Sequence, residues 1–168
     1  MKKTITFRDK VLLSDAETVR RLTKSTGFFE QVFDEIDCAV EEVEAALEGG
    51  AGTSNFLFLE IDGVAEAFIS YYRQPCCDSL YYASWLCVNN SLRGMGLGKA
   101  IMNEFVERIW KLGGRKILLQ TSGRPQYLPT RAFYEKYGFK IEAEIPDFYT
   151  VGESTVYYGL YNPNLPVK

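Results

Sequence analysis

The sequence contains no histidine. That excludes every catalytic triad or dyad built on imidazole, and many metal sites with it. Cysteine is scarce, with only Cys38, Cys76, Cys77 and Cys87. Their spacing is neither the paired C-x-x-C of a thiolate zinc site nor a secreted disulfide framework. The thiols are therefore read as reduced and mostly buried, and no metal is expected. No apolar run approaches the roughly 20 residues that span a bilayer, so no membrane partner is expected. Met1-Lys2-Lys3-Thr4 is followed by Arg8, Asp9 and Lys10 rather than by an apolar segment. This is not a signal peptide, and a cytoplasmic location is the expectation. Strong charge of one sign is lacking too: a net charge of −3 supplies no general attraction to nucleic acid.

What is present fits one globular domain over residues 1–168, with 46% apolar and 24% charged residues. Ile5 and Phe7 alternate with polar neighbours, which predicts a strand over Thr4–Arg8. Ser14, with Glu17 three positions on, has the pattern of a capping box for a helix that stops near Ser25-Thr26-Gly27. Val32, Phe33, Ile36, Val40, Val43 and Leu47 recur at three- and four-residue steps, predicting a second helix from about Phe29 to Leu47. The period then changes. Phe56–Ile61 and Val64–Tyr72 read as strands joined by an Asp62-Gly63 hairpin turn, and Leu80–Val88 as a third. An amphipathic helix is predicted over Leu97–Leu112, closed by Gly113-Gly114, then a strand over Lys116–Thr121. A short helix over Thr130–Tyr137 capped by Gly138, and strands over Phe139–Ala143 and Thr155–Leu160, complete a mixed α/β domain.

The most informative segment is Arg93-Gly94-Met95-Gly96-Leu97-Gly98-Lys99, between a strand and a helix. Glycines let backbone approach a ligand closely, and unpaired N–H groups at a helix start favour anionic oxygen. A pyrophosphate cradle follows; the plainer alternative is a tight strand-to-helix turn. A Walker loop is excluded, because Arg93 stands where its first glycine belongs and Ala100 where its hydroxyl belongs. A dinucleotide fingerprint is excluded as well, since the glycines run G-x-G-x-G after several strands.

Arg93-x-x-Gly96-x-Gly98 resembles the [QR]-x-x-G-x-[GA] acetyl-CoA motif of the GNAT superfamily of N-acetyltransferases. Leu86-Cys87-Val88 resembles the strand that pairs with pantetheine in that family. Ala132-Phe133-Tyr134-Glu135-Lys136-Tyr137-Gly138-Phe139 is similar to its second signature, one residue shorter in the middle. The resemblance covers the element order from Thr4 to Leu160. It implies a mostly antiparallel central sheet flanked by helices, with splayed fourth and fifth strands and acetyl-CoA, as co-substrate, in the gap. It implies cofactor contacts from Leu86, Val88, Arg93, Gly94, Met95, Gly96, Leu97, Gly98 and Lys99. Backbone donors near Leu86–Val88 would polarise the acetyl carbonyl. Tyr134 would be the acid for the CoA thiolate, as an amine attacks directly; a packed ring is the plainer reading.

The sequence departs from the family over the base. Glutamate positions on the fourth and fifth strands fall at Tyr82 and Gln120, neither of which accepts a proton readily at neutral pH. Glu66, Glu60, Asp147 and a water chain remain as candidates. The asparagine ahead of the second signature is replaced by Tyr127, which removes one expected side-chain contact to CoA. Cys87 lies beside the expected thioester, but burial without a histidine partner makes it a structural thiol. In this family the acceptor is selected by regions that here supply Ser25-Thr26-Gly27-Phe28-Phe29, Tyr71-Tyr72-Arg73 and Asp147-Phe148-Tyr149. Phe28 and Phe29 are suited to an aromatic wall or to packing of the helix junction. Asp147 suits an ammonium, and Arg73 or Arg124 a carboxylate, which fits an amino-acid-like acceptor. The rich segment Gln120–Arg131 suits cofactor, acceptor or simple rigidity. A peptide or protein acceptor, and a non-catalytic acyl-CoA-binding or protein-interaction module, stay open beside the small-molecule enzyme.

Overall fold

Seven strands hydrogen-bond in the order β1-β2-β3-β4-β5-β7-β6 in a computed structural model that describes residues 4–29 and 34–165. The chain runs β1 (Ile5–Arg8), α1 (Asp15–Ser25), α2 (Glu35–Glu48), β2 (Asn55–Ile61), β3 (Val64–Arg73) and β4 (Leu80–Val88). A 3-10 turn (Asn90–Leu92), α3 (Leu97–Lys111), β5 (Lys116–Ser122) and a second 3-10 turn (Pro125–Tyr127) follow, then α4 (Leu128–Tyr137), β6 (Lys140–Thr150) and β7 (Glu153–Tyr161). Its contacts fall into two units, Met1–Tyr72 with Trp85–Glu107, and Arg73–Ser84 with Arg108–Lys168.

In the first unit, β2 is apolar at almost every position because both its faces are buried. Phe56 and Phe58 lie with Phe68 of β3, Val19 and Leu22 of α1, and Val40 and Val43 of α2 in one cluster. The alternate residues Leu57, Leu59 and Ile69 are fully buried too, on the opposite face. Tyr71 on that face meets Phe105 of α3 at 5.0 Å between ring centroids. Asp62 and Gly63, at φ 52° and 82°, make the predicted tight turn between β2 and β3.

Three local expectations are corrected. Ser14 precedes α1 but makes no side-chain capping bond, so the box with Glu17 does not form. The Asp15 carboxylate instead accepts from the Leu12 N–H at 2.7 Å and pairs with Arg8. The second helix starts at Glu35, not near Phe29. Phe29 lies in a bend with its ring edge-on to Trp85 at 5.3 Å, and Val32 and Phe33 fall outside the described residues. The strand expected over Phe139–Ala143 continues to Thr150. As the sheet's last strand it hydrogen-bonds only to β7, so it tolerates Pro146, the residue that ends its apolar alternation after Ile145.

In the second unit, β4 and β5 are parallel from Leu80–Lys116 to Ala83–Leu119, although β4 runs on to Val88 and β5 to Ser122. The β5/β7 and β6/β7 ladders are antiparallel. A Schellman-type end closes α3, with Gly113 N–H on the Trp110 carbonyl and Gly114 N–H on that of Ile109. A Cβ at Gly114 would sit 2.4 Å from Ile109 Cγ2 and 2.9 Å from the Ile109 carbonyl oxygen. Gly114→Ala is therefore expected to cost about 1–3 kcal/mol of stability, measurable as a lowered urea midpoint.

Candidate cofactor and acetyl-transfer site

The strand-to-helix loop in the first unit is shaped by its glycines. Gly94 and Gly96 adopt φ of 80° and 83°, and a Cβ at either would meet nothing within 4 Å. Their glycine identity thus answers to backbone conformation and open space, not to crowding by the protein. The first bond into α3 runs from the Ala100 N–H to the Gly96 carbonyl at 2.9 Å. The N–H groups of Leu97, Gly98 and Lys99 precede that ladder, at the positive end of a 15-residue helix. This donor set suits an anionic, close-lying ligand such as a pyrophosphate.

The predicted loop residues divide by side chain. Leu97 is buried in the core, so only its backbone faces a ligand, whereas Met95 and Lys99 are exposed. The Arg93 guanidinium lies over the Phe28 ring at 4.8 Å. Leu86 and Val88 on β4 are half-buried, and Cys87 between them points the other way, into the cluster of α1 and α2. Tyr134 belongs to the second unit, on α4. It is 6% exposed, with Phe133, Phe139 and Tyr158 within 5.6 to 5.8 Å of its ring centre. Tyr158 is held protonated: burial, then its hydrogen bond to Glu135, pushes it up to about 12.

Cys87 has a clear electrostatic character. Burial pushes its thiol up to about 12, against smaller opposing effects from the Thr23 hydroxyl and the Arg93 charge. A thiol so raised carries negligible thiolate at neutral pH. Cys38 and Cys76 are exposed, which corrects the expectation of mostly buried cysteines. A disulfide reagent at about pH 8 should label Cys38 and Cys76 in the native protein and Cys87 only after unfolding.

Each carboxylate considered as a base already has partners. Glu60 pairs with Arg8 at 2.7 Å. Glu66 accepts from Asn89 Nδ2 at 2.7 Å and faces Arg21 Nη1 at 3.4 Å. Asp147, expected in a loop, sits within β6 at φ 51° and accepts the Gly152 N–H at 2.7 Å. Tyr82 and Gln120 lie on β4 and β5, opposite Leu118 and Tyr157 in their ladders. Arg124 pairs with Glu153, whose other oxygen accepts from Ser122. Arg73 ends β3 exposed. Among the described residues, no three histidine, cysteine, aspartate or glutamate side chains converge as metal ligands. No described helix is long and apolar enough to cross a membrane.

Sequence reasoning missed two features beside this site. Trp85 Nε1 donates to Glu42 Oε2 at 2.8 Å, while Glu42 Oε1 is buried without a partner. Asn89 joins Glu66 to the start of the loop, and only its position two residues before Ser91 hinted at such a turn.

The fold and loop together define a GNAT-type acetyltransferase domain. The family model for an acetyltransferase (GNAT) domain matches residues 52–141, and the chain belongs to the GNAT family. A Desulfovibrio desulfuricans protein assigned to that family is 36% identical in sequence. Its crystal structure superposes with a TM-score of 0.88, over 94% of this chain and 99% of that one. The ribosomal-protein-S18-alanine N-acetyltransferase of Escherichia coli shares the fold at 15% identity, with a TM-score of 0.74 over 98% of this chain and 100% of that one. An aminoglycoside 6'-N-acetyltransferase complexed with coenzyme A does so at 19% identity, with a TM-score of 0.75 over 98% and 99%. No curated protein matches the chain in sequence.

Proposed function

We propose that this chain is an N-acetyltransferase that passes the acetyl group of acetyl-CoA to a primary amine by direct attack. The observation that carries the reading is the loop: two left-handed glycines deliver the open N–H groups of a long helix, in a chain of GNAT family. Arg93, Gly94, Met95, Gly96, Leu97, Gly98 and Lys99 hold the pyrophosphate, through backbone donors at the glycines and charge at Arg93 and Lys99. Leu86 and Val88 offer β4 backbone to the pantetheine arm. Bound acetyl-CoA supplies an activated thioester, so the protein needs no nucleophile of its own, in keeping with the inert Cys87. Tyr134 donates a proton to the CoA sulfur. Because Glu60, Glu66 and Asp147 are each already engaged, the amine's proton leaves through water.

The acceptor is read as an amine-bearing small molecule, with an amino-acid-like one first. Arg73, exposed at the end of β3, is the carboxylate-binding candidate, since Arg124 is engaged by Glu153. A peptide amine is the second class, because GNAT relatives of this fold include a ribosomal-protein N-acetyltransferase as well as an aminoglycoside one. A panel of amino acids, aminoglycosides and peptides, incubated with protein and acetyl-CoA and read by mass spectrometry, separates these classes. An acetylated amine identifies the acceptor. Acetyl-CoA binding without any acetylated product would make the chain an acyl-CoA-binding module instead.

A further inference from the structure

The loop is anchored by groups outside it. Asn89, one residue past β4, donates its backbone N–H to the Glu66 carbonyl at 2.9 Å and its side-chain Nδ2 to Glu66 Oε2 at 2.7 Å. Its Oδ1 accepts from the Ser91 N–H at 3.1 Å and the Ser91 hydroxyl at 2.9 Å. One amide thus uses both ends: the donor grips β3, and the acceptor caps the 3-10 turn that leads to Arg93. Downstream, Arg93 N–H bonds to the Asn90 carbonyl and Met95 N–H to that of Leu92, so the cap's position passes to the glycines turn by turn. Arg21 completes the brace from α1, with Nη1 at 3.4 Å from Glu66 Oε2 and Nη2 on the Ala65 carbonyl. Ser25, also on α1, accepts the Asn90 N–H at 3.3 Å.

We propose that Glu66 and Asn89, backed by Arg21, are positioning residues for the cofactor loop, holding its donors in the orientation that binds the CoA pyrophosphate. This rests on the acetyl-CoA reading above and removes Glu66 from the candidate bases. Asn89 suits the task because its amide carries donor and acceptor on separate atoms, one for Glu66 and one for Ser91. Aspartate there keeps the acceptor but sets a second carboxylate against Glu66. Glu66→Gln keeps an oxygen for Asn89 and loses only the charge facing Arg21.

The test is calorimetric titration of the folded proteins with CoA itself, well below their melting temperatures, alongside the melting temperature of each apo form. Asn89→Ala and Glu66→Ala should raise Kd by about 10-fold, and Asn89→Asp by more, as loss of a hydrogen bond that leaves its partner unsatisfied costs. Glu66→Gln should stay within about threefold of wild type, because a hydrogen bond and not the charge transmits the position. A purely structural role would lower the apo melting temperatures and leave Kd unchanged, which would overturn the proposal. Equal losses in Glu66→Gln and Glu66→Ala would overturn Asn89 as the relay. If wild-type protein fails to bind CoA, the acetyl-CoA reading itself falls, and that outcome is distinct because it appears before any variant is made.

Discussion

Gly96→Glu is expected to weaken acetyl-CoA binding by about 100-fold or more while the protein stays folded. Three effects act together. A side chain at φ 83° carries left-handed strain of about 1–2 kcal/mol. The space into which its Cβ points is open, with nothing of the protein within 4 Å, so no clash blocks folding. The new carboxylate then stands beside the donors proposed to hold the pyrophosphate, replacing attraction by repulsion between like charges. Gly96→Ala separates the contributions, since it brings the strain without the charge and should cost only a few-fold in affinity. Calorimetry with acetyl-CoA, and a melting curve for each variant, reads both. Wild-type affinity in a folded Gly96→Glu protein would move the cofactor off this loop.

The second large effect is expected at Tyr134. Tyr134→Phe removes one hydroxyl and keeps the ring that packs on Phe133, Phe139 and Tyr158. If that hydroxyl protonates the CoA sulfur, kcat should fall by about 100-fold, the lower range for loss of a general acid, with little change in acetyl-CoA Kd. A merely packed ring predicts the reverse, an unchanged kcat with at most a small stability effect. Tyr134→Ala is the uninformative choice, because emptying so buried a ring site costs about 3–5 kcal/mol and confounds activity with folding. Tyr158, in contact with Tyr134, is a poor substitute acid, because burial and Glu135 hold its proton tightly.

The strands and the loop were the most legible parts of the sequence. β2, β3 and β4 follow from apolar runs and the Asp62-Gly63 turn, and α3 from its clean polar face and its glycine stop. The strand-to-helix turn between β4 and α3 follows from three closely spaced glycines, a local signal. What was not legible depends on distant partners. Asp15 draws Arg8 and the Leu12 N–H into one carboxylate, which overrides the Ser14 capping pattern. Phe29 lies in a bend outside α2, with its ring edge-on to Trp85 of β4, a contact distant in sequence. β6 alternates polar and apolar residues from Lys140 to Ile145, but Pro146 and Asp147 interrupt the pattern, and the strand beyond them is defined by its pairing with β7. The brace from Glu66 to Asn89 joins residues 23 apart in sequence, beyond the reach of any local motif. The engaged states of Glu60, Glu66 and Asp147 were equally hidden, and they support the proposed water route over a carboxylate base.

Transfer of acetyl groups from acetyl-CoA to amines is the activity proposed for this GNAT chain. The most direct test is CoA thiol release by the wild-type protein from acetyl-CoA, with and without each amine of the panel. Release is expected to require both protein and one class of amine, with stoichiometric acetylated product. Tight acetyl-CoA binding with no amine-dependent release across small-molecule and peptide acceptors would contradict it.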